Sequence, residues 1–108
     1  MEGFEEYDDV PEFVDCDYTL LCRGDSMINA RIFDGDIVCV KQQSDVGDRQ
    51  IAVVCIDGEA TLKRVYKEPG KVTLKAENPT YKTMYLDGEE LETVRIVGRA
   101  VWFISSVR

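Results

Sequence analysis

The stretch IAVVCIDGEATLKRVY, residues 51–66, decides the fold. Ile51 to Asp57 is an apolar run closed by an acid, the pattern of a strand covered on both faces. Asp57-Gly58 supplies a two-residue turn, because both residues tolerate the positive φ angles that a tight hairpin requires. Glu59 to Tyr66 then returns alongside. By alternation, Thr61, Lys63 and Val65 share one face of that strand, while Leu62 and Arg64 share the other.

The same reading extends outward in both directions. Downstream, Pro69-Gly70 makes a second turn and Lys71 to Ala76 (KVTLKA) alternates cleanly enough to pair back. Glu77 to Glu92 is turn-rich, with Asn78-Pro79 and Asp87-Gly88 as breakers. Two further β-rich runs, Thr93 to Val97 and Arg99 to Ile104, are divided by Gly98. Upstream, Asp36 to Lys41 (DIVCVK) is launched from the turn Asp34-Gly35, and Tyr18 to Arg23 (YTLLCR) stops at Gly24. No window shows a sustained 3.6-residue period, so at most a single helical turn is expected after Ser26. The expected fold is all-β, mostly antiparallel hairpins closing into a sandwich or barrel-like body.

Charge divides the chain differently. The 108 residues carry 13 Lys+Arg, 21 Asp+Glu and no His, a formal net charge of -8. Eight of the acids lie between Met1 and Asp17, where there is no base, so the other 91 residues hold 13 of each sign. The expected organisation is an acidic arm over residues 1–17 and one compact domain over residues 18–108. Without a basic surplus, this domain is not expected to bind a nucleic-acid backbone unaided. Its longest apolar run, Ile51 to Ile56, is far short of the ~20 residues of a membrane span. The acidic start is unlike a secretory or transit signal, so a cytoplasmic domain with no membrane partner is expected.

The absence of His removes Ser-His-Asp and Cys-His nucleophiles and any His-containing zinc site. Cys16, Cys22, Cys39 and Cys55 lack Cys-x-x-Cys spacing and read as buried free thiols. No metal or other cofactor is expected. The segment Gly24-Asp25-Ser26-Met27 follows directly on a strand, where a serine can project its hydroxyl and neighbouring backbone N–H groups can hold an oxyanion. Taken alone, these are ordinary turn residues. Without His, a serine nucleophile needs Lys or a carboxylate as base, and Lys serves only as the neutral amine, in an apolar site that lowers its pKa. Lys63, opposite the apolar strand Ile51 to Ile56, meets that demand. Its bland alternative is a solvated strand lysine.

Five ordered blocks resemble one family. G-D-S-M (Gly24 to Met27), D-G-D-I-V (Asp34 to Val38), D-G-E-A-T-L-K-R (Asp57 to Arg64), P-G-K-V-T-L-K-A-E-N-P (Pro69 to Pro79) and I-V-G-R-A-V (Ile96 to Val101) are similar to the LexA/UmuD/phage-repressor peptidases. The resemblance runs from about Tyr18 onward, and the 37-residue separation of Ser26 and Lys63 matches the family's pattern. It implies that Ser26 is the nucleophile, Lys63 the general base, and the backbone amides of Asp25 and Ser26 the oxyanion donors. Met27 reads as packing, Asp34-Gly35-Asp36 as a structural turn, and Thr61 as a strand residue able to reach Lys63.

The resemblance further implies the C-terminal self-cleavage and dimerisation domain of a LexA-like repressor. Such a domain forms a homodimer, cuts its own linker under stimulation by RecA filaments, and reaches DNA only through a separate N-terminal domain. These 108 residues depart from the pattern, since they contain no Ala-Gly or Cys-Gly linker bond and no helix-turn-helix. Self-cleavage in cis is therefore not expected of them alone. A non-catalytic dimerisation or sensing module is the alternative. Val101 to Ile104 reads either as a core strand or as an edge strand pairing with a second copy.

Overall fold

The computed structural model describes residues 3–7 and 12–107. It is an antiparallel eight-stranded sheet: β1 (Gly3–Tyr7), β2 (Tyr18–Arg23), β3 (Ile37–Gln42), β4 (Ile51–Ile56), β5 (Glu59–Glu68), β6 (Lys71–Lys75), β7 (Met84–Asp87) and β8 (Val94–Ile104). The strand order is β1-β2-β3-β8-β4-β5-β6-β7. β1 also comes beside β5, so the sheet curls over on itself. Two 3-10 segments, Ile28–Ala30 and Gly88–Thr93, are the helical elements among the described residues. No helix among them is long and apolar enough to cross a membrane.

The β4–β5 hairpin forms as the sequence requires. Asp57 and Gly58 adopt φ of 51° and 80°, and the register sets Ala52 opposite Lys63 and Val54 opposite Thr61. β4 is buried on both faces: Val53 enters one apolar cluster with Leu20, Met27, Val38, Val40 and Leu62, while Ala52 and Val54 enter a second with Val65, Leu74 and Leu86. Leu62 and Val65 therefore sit on opposite sides of β5, as alternation demands.

Several expectations are refined. The runs on either side of Gly98 are one continuous strand, β8, bent by register shifts against both β3 and β4. Gly98 does not break it; a Cβ there would run into the Val40 side chain and stand 2.9 Å from the Tyr18 hydroxyl. Within the turn-rich segment lie β7 and the second 3-10 segment. Residues of the acidic arm join the body. β1 pairs with β2, placing Gly3 opposite Arg23, Val14 is buried, and the Asp17 N–H donates to the Val40 carbonyl at 2.8 Å. The arm residues 1–2 and 8–11 lie outside the described residues.

Val101 to Ile104 is not a core strand: β4 pairs with β8 only as far as Arg99, so this stretch has a strand partner on one side. It pairs with β3 through Trp102 opposite Cys39 and Ile104 opposite Ile37. Trp102 is nevertheless 57 % exposed and Phe13 73 % exposed, their rings meeting edge to face at 6.2 Å. All four cysteines are free thiols, but only Cys22 and Cys39 are buried; Cys16 and Cys55 are half-buried.

Candidate functional site

Ser26 lies in the turn that leaves β2, three residues beyond Arg23. Gly24 makes the bend with φ of 89°, a conformation that costs a side-chain-bearing residue steric strain. The Asp34-Gly35-Asp36 turn grips this bend. The Asp34 carboxylate accepts the Gly24 N–H at 2.8 Å, the Gly35 N–H donates to the Cys22 carbonyl at 2.8 Å, and the Cys22 N–H donates to the Asp36 carbonyl at 2.8 Å. Asp36 is itself buried, its carboxylate accepting the Phe33 N–H at 2.8 Å and the Ser105 hydroxyl at 2.7 Å. Met27 is fully buried in the first apolar cluster. Packing on one side and the acidic turn on the other hold Ser26 in place, and it is 4 % exposed.

Lys63 sits in mid-β5 and is 6 % exposed, so it is not a solvated strand lysine. Its Nζ lies 5.8 Å from the centroid of the Tyr81 ring, within the range where an aromatic face attracts an ammonium. The Tyr81 hydroxyl donates in turn to the carboxylate of Asp25, the residue before Ser26. One side chain thus contacts both Lys63 and the serine turn. Thr61, two residues before Lys63 on the same face, is half-buried opposite Val54.

Residues 77–81, read from sequence only as a breaker segment, complete the surroundings. The Glu77 carbonyl accepts the Asn29 N–H at 2.8 Å, and its carboxylate pairs with Arg64 of β5. Asn78 is 5 % exposed, and its Nδ2 donates to the Asp25 carbonyl at 2.9 Å. The Asn78 Oδ1 accepts from the Thr80 N–H at 3.1 Å and the Thr80 hydroxyl at 2.9 Å. The available signal was the conjunction of Asn78 with Pro79 and Tyr81, since a bend carrying both an amide and an aromatic can reach a neighbouring loop.

A buried serine in a tight turn, a buried lysine and an ordered loop between them suit acyl-transfer chemistry. Comparisons with known proteins agree in outline. Residues 1–101 match the family model described as Peptidase S24-like. The chain is 44% identical over 84 residues to a LexA repressor of Geobacter sp. (strain M21), covering 78% of this chain and 41% of that protein. It is 43% identical over 105 residues to a LexA repressor of Exiguobacterium sp., covering 94% of this chain and 48% of the relative. It is 46% identical over 74 residues to LexA repressor 2 of Pseudomonas putida, covering 68% and 37%. The chain spans less than half the length of these curated relatives. With the family model matched along nearly its whole length, and with the all-β body that the sequence called for, the chain belongs to the Peptidase S24-like family.

Proposed function

We propose that this chain is the self-cleaving peptidase and dimerisation domain of a LexA-like transcriptional repressor, with Ser26 as nucleophile and Lys63 as general base. The observation that carries the reading is that both residues are withdrawn from solvent while Tyr81 contacts Lys63 and the neighbour of Ser26. In this mechanism the Ser26 Oγ attacks the carbonyl carbon of the scissile peptide and its proton passes to the Lys63 Nζ. The backbone N–H groups of Asp25 and Ser26 receive the oxyanion. Collapse breaks the C–N bond, the Lys63 ammonium protonates the leaving amine, and water then hydrolyses the acyl-serine by the same steps.

The substrate is the repressor's own linker, the trigger is a RecA filament, and DNA is bound by a separate N-terminal domain. The exposed Phe13 and Trp102, whose rings meet, give the homodimer an apolar contact. The experiment uses full-length protein carrying this chain behind its linker, incubated from neutral to alkaline pH with and without RecA filaments. Cleavage rises with pH, because only the neutral amine is a base. Ser26→Ala and Lys63→Ala each abolish it while leaving circular dichroism unchanged. Undiminished cleavage in either variant overturns the dyad. Absence of cleavage at every pH, with dimerisation retained, identifies a non-catalytic dimerisation or sensing module instead.

A further inference from the structure

We propose that Asn78 and Tyr81 are positioning residues for the reaction, a clasp that sets the direction of the Ser26 backbone N–H and the seat of Lys63; this rests on the peptidase reading above. The peptide bond between Asp25 and Ser26 couples the two residues. In a planar trans peptide the C=O and N–H point in opposite directions. Whatever fixes the Asp25 carbonyl therefore fixes where the Ser26 N–H aims. Asn78 Nδ2 donates to that carbonyl at 2.9 Å from a side chain that is itself buried. The Ile28 N–H makes a longer approach to the same oxygen, at 3.5 Å. Donation to a carbonyl also polarises its amide, strengthening the N–H as a donor to an oxyanion.

Asn78 cannot turn its amide around without loss. Its Oδ1 already accepts two hydrogen bonds from Thr80, so a flip would set an NH2 group against two donors and leave the Asp25 carbonyl facing an oxygen. Tyr81 follows within the same short bend, its N–H donating to the Asn78 carbonyl at 3.1 Å. Its hydroxyl holds the Asp25 side chain and its ring faces the Lys63 amine. One bend thus grips the backbone and the side chain of Asp25 separately. The Glu77 carbonyl, holding the Asn29 N–H, anchors the far side of the serine turn.

The test needs no substrate. A fluorophosphonate reagent phosphonylates an activated serine: the Oγ–P bond forms, fluoride leaves, and the serine proton passes to the base. Its rate at Ser26 is followed from pH 6 to 10 in this chain and in Asn78→Asp, Asn78→Ala, Tyr81→Phe and Tyr81→Leu. Asn78→Asp keeps the acceptor toward Thr80 but replaces the donor with a carboxylate oxygen, and Asn78→Ala removes the donor without adding that charge. Both Asn78 variants should label about tenfold more slowly or worse, at every pH. Tyr81→Phe, which keeps the ring, should slow labelling without moving the pH profile. Tyr81→Leu, which loses the ring as well as the hydroxyl, should slow it further. Rates for Asn78→Asp and Tyr81→Phe within twofold of the parent overturn the proposal.

Amide hydrogen exchange at Asp25, Ser26 and Met27 provides a second reading that does not depend on turnover. Faster exchange there in both Asn78 variants, with β4 and β8 unchanged, supports the clasp, and unchanged exchange overturns it. If the parent chain does not label at Ser26, the peptidase reading fails, and the exchange data alone decide whether Asn78 orders the serine turn.

Discussion

Lys63 lies opposite Ala52 with its stem inside the sheet, so its packing and its chemistry are separable. Lys63→Met removes the amine and keeps most of the volume. Stability in urea should stay within about 1.5 kcal/mol of the parent, while cleavage and Ser26 labelling are lost. Cys39 offers a second separation. Burial, reinforced by the neighbouring Cys16, pushes its thiol up from 9.0 to about 11. The folded state therefore keeps a proton that the unfolded state releases first. That contribution is fully present below pH 9 and is lost as the pH rises through 11. Between pH 8 and 11 the parent should lose more stability in urea than Cys39→Val, a difference that cancels the titration of the other groups. The turn at Ser26 and the inward face of Lys63 were legible because each is marked locally, one by a glycine bend after a strand and the other by its register in a hairpin. The contacts of Asn78 and Tyr81 were not, because their partners stand 53 and 56 residues away in sequence.

At the scale of elements, β2, β4 and β5 announce themselves by apolar runs bounded by turns, and the structure places them within a residue or two of the expected limits. β1 and β7 carry no such mark. GFEEY and MYLD are short, partly polar segments, and they become strands because β2 and β6 offer them unpaired backbone groups. Gly98 was legible as a residue and not as a role, since a close approach between strands has no local signature. Its role gives a sharp prediction. In Gly98→Ala the new methyl meets the Val40 side chain, the Tyr18 hydroxyl and the Lys41 carbonyl oxygen at 3.1 Å. The last of these is backbone in a neighbouring strand and cannot swing away. The substitution should cost about 1–3 kcal/mol in chemical denaturation.

For the molecule as a whole, the unfinished surface is the exposed aromatic pair of Phe13 and Trp102. Trp102→Glu should shift sedimentation toward the monomer across a concentration series while leaving the thermal midpoint of the monomer nearly unchanged, because the ring is already more than half exposed. The fold class was open to sequence because turns and apolar runs are local. The curl that brings β1 beside β5 was not, because it depends on how all eight strands twist together. One strand governs that closure. β8 pairs with β3 along one stretch and with β4 along the next, and it is the strand that welds β1-β2-β3 to β4-β5-β6-β7. Ser26 leaves one of these halves and Lys63 belongs to the other. β8 is also synthesised after the other seven strands, so the hydrogen-bonded order of this sheet can close only once its last strand has been made.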